Sequence, residues 1–371
     1  MITMLHVLET LEGHGGTPRK LLSLARHIDR QQARLVFLQF MPSSFAQEFV
    51  GLGWPVHAAD TVSPLGLAWK IQRIAHDCKA DVICTHFTRS LVTGFAAGKI
   101  NRIPIIHNEH SSAHYRRGLG RLLARVVLPW VDLIICNSHH TRLSIRERYP
   151  GTADKLVTIH NPVEERIARR ARQDVRATLK VTDKEVLIAH IGRMIPERDQ
   201  LTLLQAVYEL RSTFPMVRLL MIGDGPGRTD LESSARKLGL GDAVTFAGNS
   251  DEIGDYHRAA DIYVNPTLDE GFGIAVVEAM LSGIPVVLSD RGAHPELITP
   301  DQTGFLYPGG DSHALASRLR LLVNDPTLRR RIGDAGRSHA QHRFSPHSYS
   351  TQYLELVREK VNFMPSAVPM A

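Results

Sequence analysis

The sequence predicts an α/β protein made of two Rossmann-like halves in series, each a parallel sheet covered by helices. Three observations carry this. Short apolar, β-branched runs recur at helix-sized intervals through the 371 residues, and segments of helical periodicity lie between them. The runs are continuously apolar rather than alternating, which suits parallel strands buried on both faces. The whole pattern occurs twice.

In the first half the strand-like runs are MLHVL, RLVFLQF, DVICTH, IPIIH, DLIIC and KLVTIH. After the first comes TPRKLLSLARHI, whose Leu21, Leu22 and Leu24 to Ile28 form a helical stripe. The second half repeats the alternation with EVLIAHIGR, VRLLMIGDG, AVTFAG, ADIYVNP and IPVVLSD. Between them VEERIARRARQDVRATLKVTDKE is highly charged and reads as a surface helix and connector. Domains are expected over 1–165 and 166–345. A helix and tail over 346–371 are expected to pack back on the first domain.

Composition excludes several classes. Apolar residues at 43% and charged residues at 22% suit a globular chain rather than a disordered or fibrous one. No apolar run approaches the ~20 residues of a membrane-spanning helix. MITMLHVLET lacks the layout of a secretion signal. Cys78, Cys84 and Cys136 form no Cys-x-x-Cys pair and are odd in number, so no disulfide framework is expected and a cytoplasmic location is. The net charge of +6 is uneven: residues 1–180 carry 25 Lys and Arg against 14 Asp and Glu, the remainder 19 against 24. A basic half beside an acidic one points to an anionic partner. Nothing resembles a recognition helix or a base-stacking platform, so nucleic acid is not expected.

Ligands of open α/β sheets bind at the loops after strand C-termini. In HIGRMIPERDQ, Arg193 follows a strand and Arg198 precedes the next helix. Two guanidiniums on one loop can neutralise a diphosphate with forked hydrogen bonds; either alone reads as a surface arginine. MIGDGPGR, with Gly223 and Asp224, is a Gly-rich turn where backbone can approach a ligand. DEGFGIAVVEAMLSG is more informative. Gly271, Phe272 and Gly273 lead into a helix expected to begin near Ile274, whose unpaired amides suit phosphate. On that helix Ile274, Val277 and Leu281 share one face, while Ala275, Glu278, Ala279 and Ser282 share a small-residue face for a ligand. Glu278 offers two acceptor oxygens to a pair of hydroxyls, as on a ribose. Glu270 lies before the turn, so the two carboxylates can grip both ends of a molecule with a diphosphate in its middle. A solvated helix glutamate and an ordinary loop acid are the plain alternative. The glycines, the helix start and the arginine-bearing turns together weigh against it.

Through these motifs the chain resembles the family-4 retaining glycosyltransferases of the GT-B fold. The likeness covers nearly the whole chain and is strongest from HIGRMIPERD, through ADIYVNPT and the Glu-x7-Glu around GFG, to GFLYPGGD. It implies two Rossmann-like domains with parallel sheets facing a central cleft, the first on the acceptor side and the second holding a nucleoside-diphosphate sugar. It implies that Glu278 holds the ribose, that Glu270 meets a hydroxyl of the transferred sugar and that Arg193 binds the diphosphate. Arg198 stands where the family carries lysine, Asp199 replaces the glycine after it, and Ala293 in RGAHPELI replaces a glycine. Gly15 and Gly16 match the family's Gly-Gly facing the donor phosphates. Among His107, His110 and His114, the resemblance makes His110 the residue that hydrogen-bonds the transferred sugar.

Spacings of three and four residues, without a cysteine partner, do not suit zinc, and there is no Asp-x-Asp pair to hold a cation on a diphosphate. No metal and no cofactor beyond the sugar-nucleotide co-substrate are expected. HYRRGLGRLLARVVLPW, over 114–130, is amphipathic and basic. Arg117, Arg121 and Arg125 align at i, i+4, i+8, and Leu119, Leu122, Leu123, Val126 and Trp130 supply apolar area. It reads equally as a solvated helix or as a dock for an anionic membrane surface or lipid-linked acceptor. The expected activity is retaining sugar transfer from a nucleoside-diphosphate sugar to an acceptor hydroxyl, in envelope polysaccharide or glycolipid synthesis. The alternatives are a nucleotide-sugar epimerase on the same fold and a non-catalytic assembly partner.

Overall fold

The computed structural model describes residues 1–11, 16–111 and 118–362. The chain forms two compact units, Met1–Pro162 joined by the residues from Ser345 onward, and Val163–Phe344.

The first unit holds seven strands: β1 (Ile2–Thr10), β2 (Ala33–Met41), β3 (Val56–Ala58), β4 (Val82–His86), β5 (Ile105–Glu109), β6 (Leu133–Cys136) and β7 (Leu156–Thr158). They lie in the order β3-β2-β1-β4-β5-β6-β7, every ladder parallel. Successive residues alternate between two cores, as pleating requires. Leu35 and Phe37 face Leu21, Leu24, Phe49 and Tyr353, while Val36 and Leu38 face Leu67 and Ile71. The C-terminal helix Pro346–Asn362 belongs to this unit, lodging Tyr349, Tyr353, Leu354 and Val357 in the first of these cores.

The second unit holds β8 (Val186–Ile191), β9 (Val217–Ile222), β10 (Val244–Gly248), β11 (Ile262–Asn265), β12 (Val286–Ser289) and β13 (Phe305–Tyr307), in the order β10-β9-β8-β11-β12-β13 and again wholly parallel. Ile188 and Leu219 face Leu203, Val207 and Leu319; Ala189 and Leu288 face Val276, Val277 and Met280. Helix starts are set locally. Asp311 accepts from the Ala314 amide, and Asp325 accepts from the Thr327 and Leu328 amides ahead of Pro326, a residue suited to a first turn.

Strand order reverses between β1 and β4 and between β8 and β11. Those switch points put the β8 and β11 loops side by side.

Three expectations are corrected. β3 and β13, short edge strands, lie outside the apolar runs read from the sequence and add to the expected set. The charged connector is helical only over Arg172–Thr178, and Arg176 is buried there, donating to the Asp261 carboxylate and to the Ala259, Thr182 and Glu185 carbonyls. The helix Ile274–Leu281 starts as expected, but its small-residue face is partly covered: Glu278 and Ala279 are buried, Ala275 and Ser282 half-buried.

Candidate functional site

The loop after β8 and the loop after β11 are tied to each other. The Leu268 amide and the Thr267 hydroxyl both donate to the Glu197 carbonyl, at 3.0 Å each. This fixes the short 3-10 turn Pro196–Arg198 against the chain leading to Glu270. Arg198 reaches across and pairs with the Glu270 carboxylate. Asp199 then turns the chain in the left-handed region, at φ 48°, before helix Gln200–Arg211. Glycine adopts that conformation freely and aspartate tolerates it, which accounts for Asp199 at a position where glycine serves as well.

Two buried histidines flank the Arg198–Glu270 pair. Nδ1 of His190 lies 3.0 Å from the Val264 carbonyl, and Nδ1 of His294 lies 3.1 Å from the Ser289 hydroxyl. Burial lowers both to about pH 4, so the rings are neutral at pH 7. Neither imidazole therefore competes with Arg198 for the carboxylate. Glu270 is also clamped from behind: Ala293 N–H donates to its carbonyl at 2.9 Å. Gly292, at φ 60°, lies so close that a Cβ would come within 2.4 Å of the Glu270 nitrogen.

Beyond Glu270 the chain passes Gly271 and Phe272 to Gly273, which caps the helix Ile274–Leu281 at φ 97° with no side-chain cap. Phe272 is buried against Phe344. The helix N-terminus thus offers amides to an anion. Two turns on, Glu278 is 8% exposed. Burial pushes its carboxyl up to about 7, opposed by the Arg166 guanidinium, whose Nε is 3.7 Å from Oε1. Both carboxylates bear on one group: burial first, then Glu270 and Glu278, raise the pKa of the Tyr263 phenol, whose hydroxyl donates to the Ile191 carbonyl at the end of β8. Glu270 and Glu278 thus stand on either side of the Gly271–Gly273 turn in the Val163–Phe344 unit.

The other expected residues sort differently. Arg193 is exposed, and no described residue pairs with its side chain. The close backbone approach at Gly223 (φ 125°) is to protein: a Cβ there would come 2.2 Å from the Gly192 carbonyl oxygen. Asp224 pairs with Arg228 at 3.3 Å. In the first unit Gly16 is the exposed first residue of helix Gly16–His27. Gly15, His114 and Arg117 lie outside the described residues. His110 follows β5, and its Nε2 is 2.9 Å from Nδ1 of His86, whose Nε2 is 3.1 Å from Nδ1 of the buried His6. His107 points elsewhere in β5, with Nδ1 2.9 Å from the Thr85 hydroxyl. His190, His294, Arg166, His86 and Gly292 were not singled out from sequence. His190, Arg166, His86 and Gly292 act through partners distant along the chain, and His294 through the nearby Ser289.

Segment 118–130 forms helix Gly118–Val127 and a 3-10 turn Leu128–Trp130. Leu119, Leu122, Val126 and Trp130 are 69%, 58%, 60% and 64% exposed, beside exposed Arg121 and Arg125. No disulfide joins Cys78, Cys84 and Cys136. No described helix is long and apolar enough to cross a membrane.

Comparison with known proteins gives two family matches, Glycosyltransferase Family 4 over residues 14–166 and Glycosyl transferases group 1 over 171–339. D-inositol 3-phosphate glycosyltransferase of Streptomyces avermitilis is 27% identical over 285 residues, 70% of this chain and 61% of that protein. Sulfoquinovosyl transferase SQD2 of Arabidopsis thaliana is 37% identical over 175 residues, 46% of this chain and 33% of that protein. The chain thus spans less than two thirds of these relatives' length. In fold it is similar to Anabaena Alr3699/HepE, crystallised with UDP, at TM-score 0.84 and 24% identity over 96% of this chain and 100% of that one.

Proposed function

The chain belongs to the group 1, family 4 glycosyltransferases, and from that premise we propose that it transfers a sugar, with retention, from a nucleoside-diphosphate sugar to an acceptor hydroxyl. One observation carries the reading: a guanidinium and a carboxylate paired at the β8/β11 switch, just ahead of an uncapped helix N-terminus, with a second carboxylate on that helix. Structures of Alr3699/HepE with UDP and UDP-glucose support a nucleotide-sugar donor.

In this reading the diphosphate lies on the Gly273–Ile274 amides, and Arg193 and Arg198 stabilise the charge that grows as it leaves. Glu278 accepts two ribose hydroxyls and Glu270 a hydroxyl of the sugar. His110, set by His86, is the residue of the first unit that meets the sugar. With Glu270 given to a sugar hydroxyl, no carboxylate is assigned as nucleophile for a double displacement, and same-face attack is the simpler path. The bond from the anomeric carbon to the diphosphate oxygen breaks. The acceptor oxygen bonds the same face of that carbon, and its proton passes to the departing diphosphate oxygen. These residues meet the leaving-group charge without a metal ion. The exposed apolar and basic stripe over 118–130 supports a lipid-bearing acceptor at an anionic membrane surface, in envelope polysaccharide or glycolipid synthesis.

Glu270→Gln tests the assignment. It keeps the shape and the fold while removing the charge, and transfer falls by about 100-fold or more, a loss of roughly 3 kcal/mol of transition-state stabilisation. Unchanged turnover refutes the role given to Glu270. Conversion of the donor without any acceptor shows epimerisation instead, and donor binding without turnover shows an assembly partner.

A further inference from the structure

A polar cavity of about 560 Å³ opens in the Val163–Phe344 unit. Asp261, just before β11, and Pro285, just before β12, line it. It therefore lies at the N-terminal edge of the strands, opposite the edge that carries Glu270. Its volume falls within the range of small-molecule sites, ~300–1,000 Å³. Six arginines line it against two carboxylates, Glu165 and Asp261.

Three of those arginines are committed. Arg337 pairs with Glu165, Arg172 with Asp261, and Arg166 with Glu278. The other three have no carboxylate. Arg329 donates to the Leu322 and Val323 carbonyls, Arg258 approaches only the Arg170 carbonyl at 3.4 Å, and exposed Arg330 has no described partner.

Arg329 bonds the last-turn carbonyls of helix Ser312–Asn324, and Asp325 caps the start of helix Pro326–Arg343. No such local role accounts for Arg258 and Arg330, whose guanidiniums are exposed and paired with no described carboxylate. The wall also contains His257, buried and neutral, with Nε2 lacking any described partner. Gathered guanidiniums and a buried ring nitrogen without a described partner around one hollow match the oxygens of a phosphate-bearing anion.

We propose that this cavity is a second anion site, taking a polyanion of about pyrophosphate size, and that Arg166 reports its occupancy to Glu278. Arg166 lines the hollow and, among the described residues, is the one cation bearing on Glu278. An anion in the cavity draws the guanidinium away from that carboxylate. Glu278 then favours its neutral form, and nucleotide binding weakens. The coupling rests on the donor reading given above; the anion site does not.

Calorimetric titration of the full chain with sodium pyrophosphate, in wild type, Arg198→Ala and the double variant Arg258→Ala/Arg330→Ala, tests the site. Both cavity arginines are exposed, and thermal melts confirm that the variants fold. Binding that survives Arg198→Ala and is lost in the double variant is expected. Binding lost in Arg198→Ala but kept in the double variant belongs to the donor site and overturns the proposal, as does no binding at all. Vesicles carrying phosphatidic acid replace pyrophosphate in a parallel arm to separate a lipid headgroup from a soluble polyanion; there too only loss with the double variant counts in favour. Coupling is read from UDP affinity. Pyrophosphate weakens it about threefold to tenfold more in wild type than in the double variant, and equal weakening overturns the link through Arg166. Failure of UDP, ADP and GDP alike to bind any form refutes the donor reading and leaves the pyrophosphate result standing.

Discussion

Glu278 depends on a single neighbour for its charge. Burial lifts its carboxyl to about 7 and Arg166 pulls the other way, so near neutral pH the residue sits between acid and carboxylate. Only the carboxylate accepts hydrogen bonds with both oxygens. Nucleotide affinity should therefore rise as pH rises through about 7. Arg166→Met removes the lowering influence and moves that midpoint upward, read from UDP titrations between about pH 5.5 and 8.5. An identical midpoint in both proteins dismisses the pairing. Folding stability runs oppositely: the folded pKa lies above the unfolded one, so the contribution is complete below pH 4.5 and is lost as pH rises through about 7. Lys20 is the mirror case. It is 1% exposed, its Nζ has no described hydrogen-bond partner, and burial lowers its pKa from 10.5 to about 7. The unfolded chain holds more protons between those values, so stability falls as pH drops from 10.5 to 7. Lys20→Met should remove that slope and raise stability at pH 7 by about 1–3 kcal/mol, measured by urea unfolding at several pH values. A variant less stable than wild type at pH 7 counts against the unpaired ammonium.

At the scale of elements, the site is an arrangement of loops whose shapes are set by backbone. Gly292 shows this best. Its φ of 60° and the 2.4 Å separation a Cβ would have from the Glu270 nitrogen leave no room for a side chain. Gly292→Ala must shift either loop, and a displacement near 1 Å at a reacting group costs on the order of 100-fold in rate. Transfer should fall by that amount while the melting temperature drops only a few degrees; turnover within twofold of wild type removes the clamp from the argument. Much of this level was legible in the residues. Continuous runs such as VLIAH and VRLLMI marked buried strands, and GFG before an apolar run marked a helix start at Ile274. What escaped has a common cause. The β3 and β13 strands are held by neighbours rather than by their own pattern, the burial of Glu278 comes from packing on all sides of its helix, and the Arg166–Glu278 pair joins residues 112 positions apart. Local sequence records periodicity and turn chemistry, not which distant side chain arrives.

At the scale of the whole molecule, charge divides between the units. Met1–Pro162 with the residues from Ser345 onward carries 21 Lys and Arg against 13 Asp and Glu; Val163–Phe344 carries 23 against 25. The basic excess lies with the same unit that exposes Leu119, Leu122, Val126 and Trp130 along one helix and its following turn. Apolar side chains more than half exposed gain by entering a bilayer interface, and arginines beside them gain ~1 kcal/mol each near an anionic leaflet. The two contributions separate experimentally. Added salt screens the second and leaves the first, whereas Leu122→Glu/Val126→Glu removes the first and adds repulsion. In flotation with vesicles rich in phosphatidylglycerol, wild type should rise with the lipid, partly release at 0.5 M salt, and bind neutral phosphatidylcholine about tenfold less. The double variant should stay in solution under all these conditions while keeping its affinity for UDP. Equal flotation of the variant moves the contact to another face of the unit, and no flotation of wild type with either lipid ends the membrane reading while leaving the sugar chemistry of the second unit untouched.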